Sequence, residues 1–87
     1  MTAEELMVLR GTVARARAGE IGGMSSVPAT AELPARVKLA IIPADGDERT
    51  EILTEGETFE FGQEVWEVVQ INHPNKISWN VTLRRVR

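Results

Sequence analysis

The strongest constraint on the fold is a run of alternating apolar and polar residues near the C-terminus, from Ile77 to Arg84. Side chains on a β-strand point alternately to opposite faces, so such a run gives a strand one apolar face and one polar face. The apolar face would consist of Ile77, Trp79, Val81 and Leu83. The polar face would consist of Ser78, Asn80, Thr82 and Arg84. The run therefore predicts a strand with one face in a core and the other in water.

Several earlier segments also have the composition of strands. Residues 37–42 alternate at first and then become wholly apolar, and Pro43 ends the run. Phe59 and Phe61 share one face of a short strand. Residues 65–71 carry apolar groups on both faces, which suits a central strand or one at a barrel corner. Strands of this length and spacing predict an all-β fold, either a small antiparallel barrel or a sandwich of five to seven strands.

Residues 3–18 fit two patterns, so a short N-terminal helix stays open beside the strands. A capping-box pattern and apolar residues near one helical face favour a helix. Alternatively, residues 6–10 and 12–17 form two short extended pieces, with Gly11 as a bend or bulge between them. Consistency with the strand-rich remainder of the chain favours the strands.

Residues 19–35 are rich in glycine, serine and proline, and we predict a long flexible loop there. Ile21, Met24 and Val27 could supply part of a short or bulged strand within it. The chain has 87 residues, which leaves room for one core, so we expect residues 1–87 to form a single domain.

Composition excludes several classes of protein. Cysteine is absent and His73 is the single histidine, so disulfides are excluded and a closed zinc site is not expected. No stretch approaches the roughly 20 apolar residues that cross a bilayer, and the N-terminus is acidic where a signal peptide would be basic. We expect a cytoplasmic protein without membrane association or a cofactor.

Charge is distributed unevenly along the chain, whose formal net charge is −3. Residues 45–67 contain nine acidic residues and one basic residue, Arg49, while the rest of the chain contains four acidic and nine basic residues. We interpret most of these groups as a solvated surface, although opposite patches could also form.

The C-terminal third has a distinctive spacing of aromatic and glycine residues, which consists of Leu53, Gly56, Glu57, Phe59, Trp66, Trp79, Leu83, Arg85 and Val86. This spacing resembles the ending of a family of small uncharacterised all-β proteins from actinobacteria. The family's ending has a leucine, a glycine and an acidic residue before a phenylalanine, then a tryptophan, then a second tryptophan before a leucine and an Arg-Val pair. The resemblance implies a compact all-β domain and carries no assigned activity, substrate or catalytic residue.

The chain lacks the motifs of an enzyme. It has no nucleophile elbow and no phosphate-binding glycine loop, and His73 stands beside Pro74 in a predicted turn. We therefore expect a non-catalytic protein. A small nucleic-acid-binding barrel using Arg84, Arg85 and Arg87 is the alternative, against which the negative net charge argues.

The leading hypothesis is a binding or accessory protein that acts through protein–protein contact with an unidentified partner. The C-terminal strand would present an edge to that partner, and pairing of two such edges would give a homodimer. A binder of a small apolar ligand in a barrel mouth is a further alternative. The predicted contact surface consists of Asn80, Thr82, Arg84, Arg85 and Arg87.

Overall fold

The computed structural model describes residues 4–87 and contains eight strands. In chain order they are β1 (Glu5–Leu9), β2 (Val13–Ala16), β3 (Gly19–Val27), β4 (Arg36–Pro43), β5 (Arg49–Leu53), β6 (Thr58–Phe61), β7 (Glu64–Asn72) and β8 (Asn80–Arg85). No helix occurs within residues 4–87, so none in that range could span a membrane. The predicted all-β fold is confirmed.

The strands form two antiparallel sheets of four strands each, arranged as a sandwich. Sheet A has the strand order β1-β8-β7-β6, and sheet B has the order β2-β3-β4-β5. The corner between β1 and β2 carries the chain from sheet A to sheet B, and the β5–β6 connection carries it back. Each sheet therefore has one face towards the core and one outer face.

Side chains from both sheets form one hydrophobic core. In β4 the buried residues are Val37, Leu39 and Ile41, and in β8 they are Val81 and Leu83. The period-2 alternation that predicted these strands therefore marks their inner faces. Burying each of these side chains contributes roughly 1.5–3 kcal/mol to folding.

The aromatic residues complete the sheet A side of the core. Trp66 is fully buried and packs edge-on against Phe61, with ring centroids 6.0 Å apart. The indole Nε1 of Trp66 donates a hydrogen bond to Glu64 Oε1 at 2.9 Å, so its polar atom is satisfied.

β8 begins later than the sequence pattern predicted. The strand starts at Asn80, and Ile77 lies in a turn with its side chain 78% exposed, whereas Trp79 is 3% exposed. Two successive backbone hydrogen bonds, from Lys76 N to His73 O and from Trp79 N to Lys76 O, curl the segment before the strand. The prediction of Ile77 as a core residue is wrong because these turns interrupt the alternation.

The position of β8 within its sheet also differs from the prediction. β8 pairs with β1 on one side and with β7 on the other, so it is an interior strand. The edges are β1 and β6 in sheet A and β2 and β5 in sheet B. The prediction that the C-terminal strand presents an edge is wrong, because the N-terminal strand returns to cover it.

A bulge explains the apolar residues on both faces of β7. Trp66 and Val68 point into the core, and the register with β8 then shifts between Val68 and Gln70. Val69 is the extra residue and is 37% exposed. The bulge reverses the parity, so Ile71 returns to the core.

The described part of the N-terminal segment consists of two strands, so the helix alternative is wrong for residues 4–18; residues 1–3 lie outside the described range. Gly11 stands at the corner between β1 and β2 with a φ of 70°, which glycine tolerates at low cost. Gly23 lies against this corner, because a Cβ there would come within 2.5 Å of the Leu9 carbonyl oxygen.

Strand β3 replaces the first half of the predicted loop. It occupies Gly19–Val27, so the irregular segment covers residues 28–35 rather than 19–35. Glycine composition suggested a loop, but here glycines permit close strand packing: a Cβ at Gly19 would lie 2.2 Å from the Ile42 carbonyl oxygen. A register shift between Gly23 and Ser25 makes β3 a bulged strand. With β3 included, residues 4–87 contain eight strands, more than the predicted five to seven.

Candidate functional site

Three of the predicted contact residues lie on the outer face of sheet A, which we call the polar face. Asn80, Thr82 and Arg84 alternate along β8 with buried residues, so they point away from the core. Strand pairing places each of them in a row with one residue of β1 and one of β7. The rows are Glu5–Arg84–Glu67, Met7–Thr82–Gln70 and Leu9–Asn80–Asn72.

Polar groups on this face are already paired with one another. Arg84 Nη2 donates to Glu67 Oε1 at 2.8 Å, and Asn72 Nδ2 donates to Asn80 Oδ1 at 2.8 Å. Cross-strand pairs of this kind stabilise the sheet itself. A partner docking here would have to replace these interactions, and only the surplus would appear as affinity.

The other two predicted residues, Arg85 and Arg87, follow at the end of the strand. The Arg85 guanidinium lies 3.4 Å from Glu64 Oε2 and 3.8 Å from Glu4 Oε1. Arg87 is exposed, and no side-chain carboxylate of residues 4–87 lies within 4.0 Å of it. Two of the three arginines in the nucleic-acid alternative, Arg84 and Arg85, are thus ion-paired within the chain.

The outer face of sheet B is different in kind, and we call it the smooth face. Its central row crosses all four strands as Val13, Gly22, Ala40 and Thr50. A Cβ at Gly22 would lie 3.7 Å from Ala40 Cβ and 3.8 Å from Val13 Cγ2, so these three residues share one surface. The small residues Gly22 and Ala40 leave a shallow depression at its centre.

Apolar side chains surround that centre. Ile52 is 64% exposed and Val13 is 55% exposed, and Ile42 is half-buried on the same face. Charged residues flank that centre: Lys38 pairs with Ile52 across β4 and β5, and Arg15 Nε contacts Glu20 Oε2 at 2.8 Å. The side chains of the central row itself form no ion pair with one another.

The smooth face was missed in the sequence because its members belong to four strands. The one local signal was the non-core parity of β4, in which Lys38 is followed by Ala40 and Ile42 instead of further polar residues. Grouping these residues with Val13 and Ile52 requires the strand register.

A third surface is a groove of about 460 Å³ at the end of the sandwich where β3 finishes and the β7–β8 connection turns. We call it the basic groove, and its lining includes Arg10, Met24, Pro28, Lys76, Ile77 and Trp79. Ser26 Oγ donates to the Pro74 carbonyl oxygen at 2.8 Å, which ties the connection to β3.

A fourth surface is a cleft of about 450 Å³ among the β2–β3, β4–β5 and β6–β7 turns, lined by residues of both charges. Arg49 crosses it: its Nε donates to Glu51 Oε2 at 2.9 Å, and its Nη2 donates to the Glu60 carbonyl oxygen. This arginine joins the two sheets and covers part of the β6 edge, so we interpret the cleft as structural.

Within residues 4–87, side chains that could act as catalytic groups or metal ligands are not clustered on any of these surfaces. His73 is exposed in the β7–β8 connection, with a φ of 53°. Within residues 4–87, no three His, Asp or Glu side chains are grouped so that they could hold a metal ion. The pKa of Glu57 is lowered because its carboxylate accepts hydrogen bonds from Thr54 N at 2.7 Å and Thr54 Oγ1 at 2.9 Å. This pair fixes the turn between β5 and β6.

Comparison with protein families gives a match to the model of a family of unknown function, DUF6406, over residues 3–87. The chain belongs to this family. The DUF6406 match covers nearly the whole chain and not only the C-terminal third on which the resemblance was based. It therefore includes both sheets and all four surfaces described above. No curated protein and no solved structure matches the chain.

Proposed function

We propose that this DUF6406 protein is a non-catalytic binding or accessory protein of the cytoplasm that acts through protein–protein contact. We place the contact on the smooth face rather than on the residues of β8 predicted from the sequence. The observation that carries the proposal is a contrast between the two outer faces. Polar side chains of the polar face are hydrogen-bonded to one another, whereas the smooth face exposes Ile52 and Val13 around small central residues.

The partner we propose for the smooth face is a second copy of the chain. A sheet face with small residues at its centre can pack against itself around a two-fold axis, as sheets pack in sandwiches. Self-association would also enlarge the single small core of an 87-residue chain.

Area sets the expected strength of this dimer. A sheet face of four strands about five residues long covers roughly 300 Å² in projection, and its accessible area is larger because side chains protrude. Specific interfaces bury about 600–1,000 Å² per partner, so the contact would have to include the rim as well as the centre of the smooth face. We expect a reversible dimer with a dissociation constant on the order of micromolar.

Sedimentation equilibrium from micromolar to millimolar protein tests the proposal. The wild type should shift from the monomer mass to twice that mass. Ile52→Asp should weaken association at least about tenfold, because it places a carboxylate in an apolar interface. Met7→Asp, on the exposed edge strand of the polar face, is the matched control and should associate like the wild type.

A wild-type chain that stays monomeric at the highest concentration would refute the dimer. Equal weakening by Ile52→Asp and Met7→Asp would refute the smooth face as its location. The nucleic-acid alternative has a separate test, a filter-binding titration at low salt, where phosphate contacts are strongest. We expect no retention of single-stranded or double-stranded oligonucleotides at micromolar protein.

A further inference from the structure

The basic groove has one wall made by an open strand edge. β2 pairs with β3 only from Gly19 to Gly22, whereas β3 continues to Val27. Beyond the bulge, β3 pairs on its other side with β4, as Ser25 with Lys38 and Val27 with Arg36. Among the described strands, none covers the opposite edge of this part of β3, and that edge faces the groove.

Apolar side chains also line the groove. Ile77 is 78% exposed and is the most exposed large apolar residue of residues 4–87. Met24, on β3, also lines the groove and is 46% exposed. Trp79 lines it too, but is only 3% exposed.

The charge of the groove is opposite to that of the protein as a whole. Its lining contains two cations, Arg10 and Lys76, and no acidic residue, although the chain has a net charge of −3. Among residues 4–87, no carboxylate lies within 4.0 Å of either cation. Arg36 and Lys38 extend the positive charge along the outer side of the same end of sheet B.

We infer that the basic groove binds an extended acidic peptide segment of a partner protein, with apolar side chains on Met24 and Ile77 and carboxylates on Arg10 and Lys76. Charge complementarity selects the acidic partner, and the open β3 edge offers backbone groups to an extended chain. Exposed apolar residues favour a peptide over a nucleic acid, because the buried Trp79 offers no ring face on which a base could stack.

This inference does not depend on self-association through the smooth face. The groove lies at the end of the sandwich, and its lining includes neither Ile52 nor Val13. Peptide binding should therefore be the same in the Ile52→Asp variant as in the wild type. Failure of one proposal would leave the other intact.

Fluorescence anisotropy with labelled peptides tests the inference. The probe is the synthetic peptide Ser-Gly-Glu-Val-Glu-Val-Glu-Gly-Ser, with two controls in which lysine replaces every glutamate or serine replaces every valine. We expect saturable binding of the acidic peptide, and at least tenfold weaker binding of either control peptide. Binding should weaken further as salt is raised, because the ion pairs are exposed.

Variants locate the site. Lys76→Glu should weaken binding of the acidic peptide at least tenfold, and Ile77→Asp should do the same by repulsion and lost apolar contact. Both residues are exposed, so folding should persist. Arg17→Glu makes the same charge change at an exposed arginine of the cleft that Arg49 crosses, and should alter binding less than twofold.

Backbone amide NMR shifts supply the decisive map. Addition of the acidic peptide should move the signals of residues 24–26 and 75–77. The inference is overturned if the lysine peptide binds as tightly, if a thymidine oligonucleotide binds more tightly than the acidic peptide, or if the shifts lie elsewhere. Absence of saturable binding at millimolar peptide would overturn it as well.

Discussion

Sheets A and B each contain four antiparallel strands, yet the side chains on their outer faces differ in how far they pair with one another. On the polar face Arg84 is paired with Glu67 and Asn80 with Asn72, so the side chains of neighbouring strands saturate one another. On the smooth face the central row is Val13, Gly22, Ala40 and Thr50, which can make no such ion pairs.

Polarity alone therefore does not locate a contact surface. A polar strand face looks available in a sequence, but once paired across the sheet it has little left to offer a partner. An apolar outer face with exposed side chains gains free energy from any complementary cover. The smooth face is therefore the surface on which the protein–protein contact is proposed.

The largest predicted effect tests whether the inner and outer sides of sheet A are assigned correctly. Trp79→Ala should lower the free energy of unfolding by about 3–5 kcal/mol, because it opens a cavity at a residue that is 3% exposed. Ile77→Ala, at a residue 78% exposed, should change it by no more than about 0.5 kcal/mol. Urea denaturation of both variants measures the difference. Similar losses would mean that Ile77 also belongs to the core.

The pairing on the polar face can be measured directly. A double-mutant cycle with Arg84→Ala and Glu67→Ala should give a coupling of about 0.5 kcal/mol, modest because the two side chains are 43% and 27% exposed. Neither variant should alter self-association. Loss of dimer in Arg84→Ala would return the contact to the polar face and reverse the comparison.

Glu57 provides the smallest predicted effect, and it concerns the connection between the sheets. Its folded pKa is lowered from 4.5 by the hydrogen bonds from Thr54, so the ionised carboxylate stabilises the fold at pH values above 4.5. That contribution is lost as the pH falls through the folded pKa. Glu57→Gln should therefore melt slightly lower than the wild type at neutral pH and equally at strongly acidic pH. A deficit that persists in acid would assign the loss to packing rather than to charge.

Local patterns in the sequence predicted much of the fold. Alternation in β8 identified Val81 and Leu83 as inward-facing, because side-chain parity is a property of the strand itself. The bulge at Val69 could not be located from parity, since it depends on the partner strand β8.

Predictions of the site depended more strongly on distant residues. Arg84 was correctly placed on a polar strand face, but its partner Glu67 lies 17 positions earlier in the chain, so its ion pair was not visible in the sequence. Likewise, β8 became an interior strand because β1, from the other end of the chain, pairs with it. Sheet order and strand register determine which surfaces stay unpaired and exposed, and short-range sequence patterns do not encode that order or register.

The absence of native cysteine permits a direct test of the central claim, that the smooth face and not the polar face is where two copies meet. Ala40→Cys puts a single thiol at the centre of the smooth face, and Thr82→Cys puts one in the corresponding position of the polar face. Under mild oxidation, disulfide formation requires Cα atoms within about 7 Å, so only a thiol near the two-fold axis reacts rapidly. We expect Ala40→Cys to form a covalent dimer rapidly and Thr82→Cys to form one slowly. Faster cross-linking of Thr82→Cys, or equally slow reaction of both, would contradict it.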